Sequence, residues 1–136
     1  MALATLDRRV TRVGSDGRST TSPLTVDALR TLFRGLALFR AAHEDLGIDM
    51  ITDNNGVSWS LWDIEALYRA TQEVLPTRQA QAIRLFLVEG LFEADAAERM
   101  GISRTNPVGM YATDGLARIV TLVEERRIKG YRIGGD

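Results

Sequence analysis

The 136 residues carry 45% hydrophobic and 26% charged side chains with a formal net charge of −1, which suits one core or two small helical subdomains and provides no global field toward nucleic acid. With no cysteine and a single histidine, disulfides, zinc ribbons and thiol nucleophiles are excluded. No apolar run reaches the roughly 20 residues that span a bilayer, and the opening MALATLDRRV lacks a signal-peptide apolar region, so the expectation is no membrane partner and a cytoplasmic location.

Residues 1–22 are rich in Ser, Thr, Gly and Arg, with Arg8, Arg9, Arg12 and Arg18 set against Asp7 and Asp16. They read as a flexible arm, either a solvated tail or a basic strap for a minor groove. After Pro23, Thr25 or Asp27 can cap a helix running to Gly47, with Leu29, Leu32, Phe33, Leu36, Phe39 and Ala42 as its apolar stripe. Arg30, Arg34 and Arg40 fall at the edges of that stripe. His43, Glu44 and Asp45 cannot share one helical face and make a poor chelator.

The Asn55-Gly56 pair lies between Met50-Ile51-Thr52 and Val57-Ser58-Trp59 and signals a short hairpin with a type I′ turn. Aligned as a calcium loop, the same stretch puts Ile51 and Trp62 where carboxylates belong, so that reading fails. Ser60 with Asp63 resembles a capping box and opens a helix to about Leu75, with Leu61, Ile64, Leu67, Tyr68 and Val74 expected inside. Trp59 and Trp62 flank its start, either as core and staple residues or as stacking groups. Past Pro76, a helix beginning near Thr77 buries Ile83, Phe86 and Leu87 and closes at Gly90.

Residues 91–119 then read as two helices joined by a tight turn. Ala96 and Ala97 allow close helix approach, Gly101 can take the left-handed conformation that ends the first helix after Met100, and Ile102 can plug the corner. For the second helix two registers stay open. Either Asn106 caps it with Pro107 at the first helical position, or Ser103 caps it with Pro107 inside the first turn. Val108, Tyr111, Gly115, Leu116, Ile119 and Val123 keep helical phase, and Gly109, Met110, Thr113 and Asp114 fall on the exposed side. Arg126, Arg127, Lys129 and Arg132 form a basic cluster in or near a fraying tail, which can bind phosphate or complement the end of the last helix.

From Leu75-Pro76-Thr77-Arg78-Gln79 through Ala97-Glu98 and Gly101-Ile102-Ser103, the last two fifths of the chain resemble region 4 of the bacterial sigma-70 family. The residues before position 75 show no counterpart of region 2. The resemblance implies a C-terminal helix-turn-helix, and with the helical periodicity of the rest the expected fold is all-α: a small helical domain ending in that unit, with a short hairpin read from the Asn55-Gly56 turn signal. The divisions are a flexible arm at 1–22, a helical region at 23–75, the helix-turn-helix unit at 76–128 and a tail at 129–136.

The implied activity is sequence-specific or architectural binding of double-stranded DNA in transcription regulation. Arg104, Thr105, Asn106, Met110, Thr113 and Arg118 are the candidate groove contacts, and Arg78, Arg126, Arg127 and Lys129 the candidate phosphate contacts. The family pattern has one residue fewer before the apolar anchor Val108, and here the reading face is almost uncharged. Residues 76–136 hold nine Arg or Lys against eight Asp or Glu, so one copy would bind weakly and a homo-oligomer or larger complex is expected. Sixteen arginines against the single Lys129 point to a GC-rich coding genome, consistent with a viral protein of a GC-rich bacterium. The alternative is an oligomeric assembly protein, such as a viral small terminase subunit or virion component, with RNA polymerase or a virus assembly protein as partner. No phosphate-binding loop, paired nucleophile or chelating cluster is present, and Asp95 with Glu98 reads as a solvated pair, so neither enzymatic activity nor a cofactor or metal is expected.

Overall fold

The computed structural model describes residues 24–53, 56–103 and 107–125 in full, together with the backbone of residues 6–7, 10–13, 19–22 and 131–132. It is mostly helical. The apolar stripe after Thr25 forms not one helix but two, α1 (Val26–Arg34) and α2 (Leu36–Leu46). The break is at Gly35, where φ is −92° and ψ 0°. A Cβ there would meet nothing closer than Thr31 O at 3.5 Å, so the bend reflects glycine's weak helix propensity rather than crowding. Thr25 is the cap: its hydroxyl accepts from the Ala28 N–H at 3.1 Å. Leu29, Leu32, Phe33, Leu36 and Phe39 are buried as expected, while Ala42 is only half-buried. Gly47 ends α2 at φ 70°.

Strands β4 (Met50–Thr52) and β5 (Ser58–Ser60) pair antiparallel, with Thr52 opposite Ser58. The connection is longer than the two-residue turn expected from Asn55-Gly56, and Asn55 itself lies outside the described residues. Asp53 organises it. Its backbone accepts from Gly56 at 3.0 Å and donates to Val57 O at 2.8 Å, while its carboxylate takes the Val57 N–H at 3.0 Å and the Trp59 indole N–H at 2.9 Å. Gly56 has φ 78°, a conformation that suits glycine at the end of a longer hairpin loop.

Helix α3 (Leu61–Val74) starts at Ser60, whose hydroxyl accepts from the Asp63 N–H at 3.0 Å. Ile64 and Leu67 are buried, Leu61 and Tyr68 half-buried. Val74, expected inside, is 46% exposed, and Ala66, Ala70, Thr71 and Leu75 fill the interior instead. Small residues on this face let the neighbouring helices come close. Thr71 is accommodated because its hydroxyl donates to Tyr68 O at 2.6 Å and accepts from Gln72 Nε2 at 3.0 Å.

Helix α4 (Thr77–Ala82) runs on into a π-helical segment (Ile83–Val88). There the Glu89 N–H reaches back five residues to Arg84 O at 2.9 Å. The wider turn rotates less per residue, so Ile83, Leu85, Leu87 and Val88 can all be buried from a run too apolar for one α-helical stripe. Phe86, expected inside, is half-buried under the Arg34 guanidinium, 4.8 Å from its ring centroid. Gly90, at φ 73°, closes the segment.

Helix α5 (Glu93–Met100) ends at Gly101, and helix α6 (Val108–Glu124) follows. Gly101 has φ 72°; its N–H bonds Glu98 O at 3.1 Å and the Ile102 N–H bonds Ala97 O at 3.0 Å. This paired closure satisfies the last carbonyls of α5. Ala96 and Ala97 are fully buried and Ile102 is half-buried. α6 is the spine of the core, packing against α1, α3, α4, the π segment and α5.

Outside this core, β2 (Val10–Val13) pairs antiparallel with β3 (Ser19–Ser22), and β1 (Leu6–Asp7) pairs parallel with β6 (Tyr131–Arg132). Backbone pairing therefore occurs in stretches expected to be a flexible arm and a fraying tail. The Val- and Thr-containing runs at 10–13 and 19–22 have the β-branched content that favours it. Among the described residues no helix is long and apolar enough to cross a membrane.

Candidate nucleic-acid interface

α6 has an inner and an outer face. Val108, Ala112, Gly115, Leu116, Ile119, Leu122 and Val123 point into the core. Met110, Thr113, Asp114, Ala117, Arg118 and Thr121 are exposed along the other side. The start of α6 follows neither expected register. Pro107 stands just before the first helical residue, with φ −82° and ψ 78°, and its carbonyl accepts from Met110 at 2.9 Å and Tyr111 at 3.1 Å. Asn106, one of the two proposed caps, lies outside the described residues.

Proline at the cap position has no side-chain acceptor, and a neighbouring helix supplies one. The Glu93 carboxylate accepts from the Gly109 N–H at 2.9 Å. An acid in the first turn of α5 thus occupies the positive end of α6, a favourable placement for negative charge. A Cβ on Gly109 would approach Glu93 Oε2 to 3.2 Å, so this glycine gives the carboxylate room to reach the backbone. At Gly115 the constraint is tighter. A Cβ there would sit 2.9 Å from Ile83 Cδ1, 3.1 Å from Leu75 Cδ1 and 3.2 Å from Gln79 Cβ. Gly115 therefore lets α6 lie directly on α4.

Of the residues expected to contact DNA, the structure brings Met110, Thr113 and Arg118 onto the outer face of α6. Arg118 borders a groove of about 380 Å³ between α6 and the start of α4, with Pro76, Gln79, Asp114, Ala117 and Thr121. Gln79 Oε1 points into buried space with no hydrogen-bond partner among the described residues. Arg78, beside this groove in sequence, is exposed. Arg104, Thr105, Asn106, Arg126, Arg127 and Lys129 lie outside the described residues.

Arg30 joins this surface unexpectedly. Its guanidinium donates to Thr113 Oγ1 at 3.0 Å and to Asp27 Oδ1 at 2.7 Å. With Asp27 almost fully exposed, that ion pair adds little stability, but it sets a cation from α1 against the outer face of α6. Neither Arg30 nor Glu93 was identifiable as a partner of α6, because each contact joins residues far apart in the chain. The face has mixed charge: Arg30 and Arg118 stand against Asp27, Asp114 and the capping Glu93.

Comparison of the chain with protein-family models, curated proteins and solved structures finds no match.

Proposed function

We propose that this protein binds double-stranded DNA as a small helix-turn-helix regulator, with α5 as the scaffold helix and α6 as the reading helix. The observation that carries this reading is the division of α6: one face is locked into the core, while Met110, Thr113, Ala117 and Arg118 stay exposed on the other. A helix of 17 residues can lie in a major groove while its opposite face keeps its packing. The glycine-closed end of α5 and the buried Ala96-Ala97 pair support the same reading. So does the resemblance of residues 75–125 to sigma region 4.

In this arrangement Arg104, Thr105 and Asn106 lead into the groove, with Arg118 further along the helix. Arg78, Arg126, Arg127 and Lys129 serve the phosphates. Arg30 donates to the Thr113 hydroxyl, orienting a side chain that can contact a base edge. The mixed charge predicts modest, salt-sensitive affinity, and two copies would be needed for tight binding.

Fluorescence anisotropy with a pool of labelled duplexes tests this. Binding at low salt that weakens on Arg118→Ala and on Arg104→Ala is expected. A folded protein that binds no duplex at low salt would contradict it. A second reading, an assembly protein that uses the same face for protein contacts, is favoured by the exposure of Phe92 (81%) and Met110 (62%), the sequence neighbours of the bonded Glu93 and Gly109. It predicts a defined oligomer in light scattering that Phe92→Ser or Met110→Ser dissolves.

A further inference from the structure

The strongest feature outside α6 lies on the other part of the chain, where the end of α2, the β4–β5 hairpin and the start of α3 meet. A groove of about 320 Å³ is lined there by His43, Asp49, Met50, Leu61, Trp62 and Glu65. Trp62 is 51% exposed and Met50 50%, and Leu46 and Ile48, which lead into the groove along the chain, are 75% and 40% exposed. Single exposed apolar residues are ordinary, but a concavity holding a half-exposed tryptophan among several others has the make-up of a docking site.

Its charge specifies the occupant. Residues 43–65 contain six Asp or Glu and no Arg or Lys, in a chain whose formal net charge is only −1. Glu65 is neutralised by Arg40 through two short contacts of 2.6 and 2.7 Å. That hydrogen bonding raises the Arg40 pKa against the opposing effect of its partial burial. Glu44, Asp45 and Asp49 make no ion pair among the described residues. The nearby Arg69 guanidinium lies 5.9 Å from the Trp62 ring centroid and leaves those carboxylates uncompensated. Such a surface repels a phosphate backbone.

We infer that this groove docks a basic amphipathic helix of a partner protein, with an apolar side chain set against Trp62 and Met50 and a flanking Lys or Arg facing Asp49. This does not depend on DNA binding by α6, since it uses different residues. It would give a small regulator one surface for nucleic acid and another for the protein it recruits.

Trp62 provides its own reporter. The chain has two tryptophans, and Trp59 is only 2% exposed, so acrylamide-quenchable fluorescence comes from Trp62. The probe is a short synthetic helix of leucine and lysine at helical spacing, with a counterpart in which glutamine replaces each lysine. The lysine peptide is expected to protect Trp62 from quenching and the glutamine peptide to fail. Calorimetric titration should show roughly tenfold weaker binding to Trp62→Ala and a clear loss for Asp49→Asn. Both variants are at exposed positions and should keep the wild-type circular dichroism. Lysine-peptide binding unchanged in either variant would overturn the proposal. So would a concentration-dependent dimer, lost in Trp62→Ala, showing that a second copy fills the groove.

Discussion

Along α6 the inward positions carry Val108, Ala112, Gly115, Leu116 and Ile119, all buried, whereas the outward ones carry Met110, Thr113, Asp114, Ala117 and Arg118, all exposed. Both faces contain small residues, yet smallness serves different ends. On the inner face Gly115 is needed because Ile83, Leu75 and Gln79 already fill the space a Cβ would take. On the outer face Ala117 and Thr113 leave a surface that something else can approach. One helix thus holds the fold together and offers the surface on which the proposed function rests, and substitutions on its two faces should separate stability from binding.

The largest effect is expected from Ile119→Ala. Ile119 is fully buried at the centre of the core, and its truncation should cost about 2–5 kcal/mol in urea unfolding. Gly115→Val follows. Alanine would gain about 1 kcal/mol of helix propensity over glycine, but valine must displace buried neighbours, so a net loss of about 1–3 kcal/mol is expected. If Gly115→Val instead stabilised the protein, the close α4–α6 contact would be wrong. Away from this helix, Asp53→Ala should cost about 1–3 kcal/mol because it removes the carboxylate that accepts from the Trp59 indole N–H and the Val57 N–H. Loss of Trp59 fluorescence dispersion on its own, without a change in unfolding, would contradict that role.

On the outer face, Arg118→Ala should move unfolding by less than about 0.5 kcal/mol while lowering the salt dependence of DNA binding by about one ion. The smallest effect concerns pH. Burial raises the Tyr68 phenol above its ordinary 10.0, more than Arg84 and Arg40 lower it. A raised folded-state pKa means that the unfolded chain releases its proton first. Stability is therefore intact below pH 10 and declines as pH rises through the folded pKa. Tyr68→Phe should flatten that alkaline decline in unfolding curves.

The sequence made much of the helical frame legible because its boundaries are chemically marked. Gly47, Gly90 and Gly101 all sit at positive φ where a helix stops, and Thr25 and Ser60 cap where a hydroxyl precedes an apolar stripe. What was illegible depends on neighbours. Gly35 breaks a helix whose apolar spacing runs straight through it, and the π turn at 83–88 shows in the sequence only as an excess of apolar residues. Val74 lost its interior place to Ala70 and Thr71 because close packing prefers small side chains there. At the candidate interface Met110, Thr113 and Arg118 could be placed by helical phase alone. The contacts of Glu93 with Gly109 and of Arg30 with Thr113 could not, since each is made only when distant helices meet.

The proposal that the outer face of α6 meets DNA is tested most directly by mapping backbone amide shifts of the labelled protein as duplex is added at low salt. The largest shifts are expected at Met110, Thr113, Ala117 and Arg118, with the acidic groove around Trp62 unmoved. Shifts absent from α6, or centred on the Trp62 groove, would contradict it.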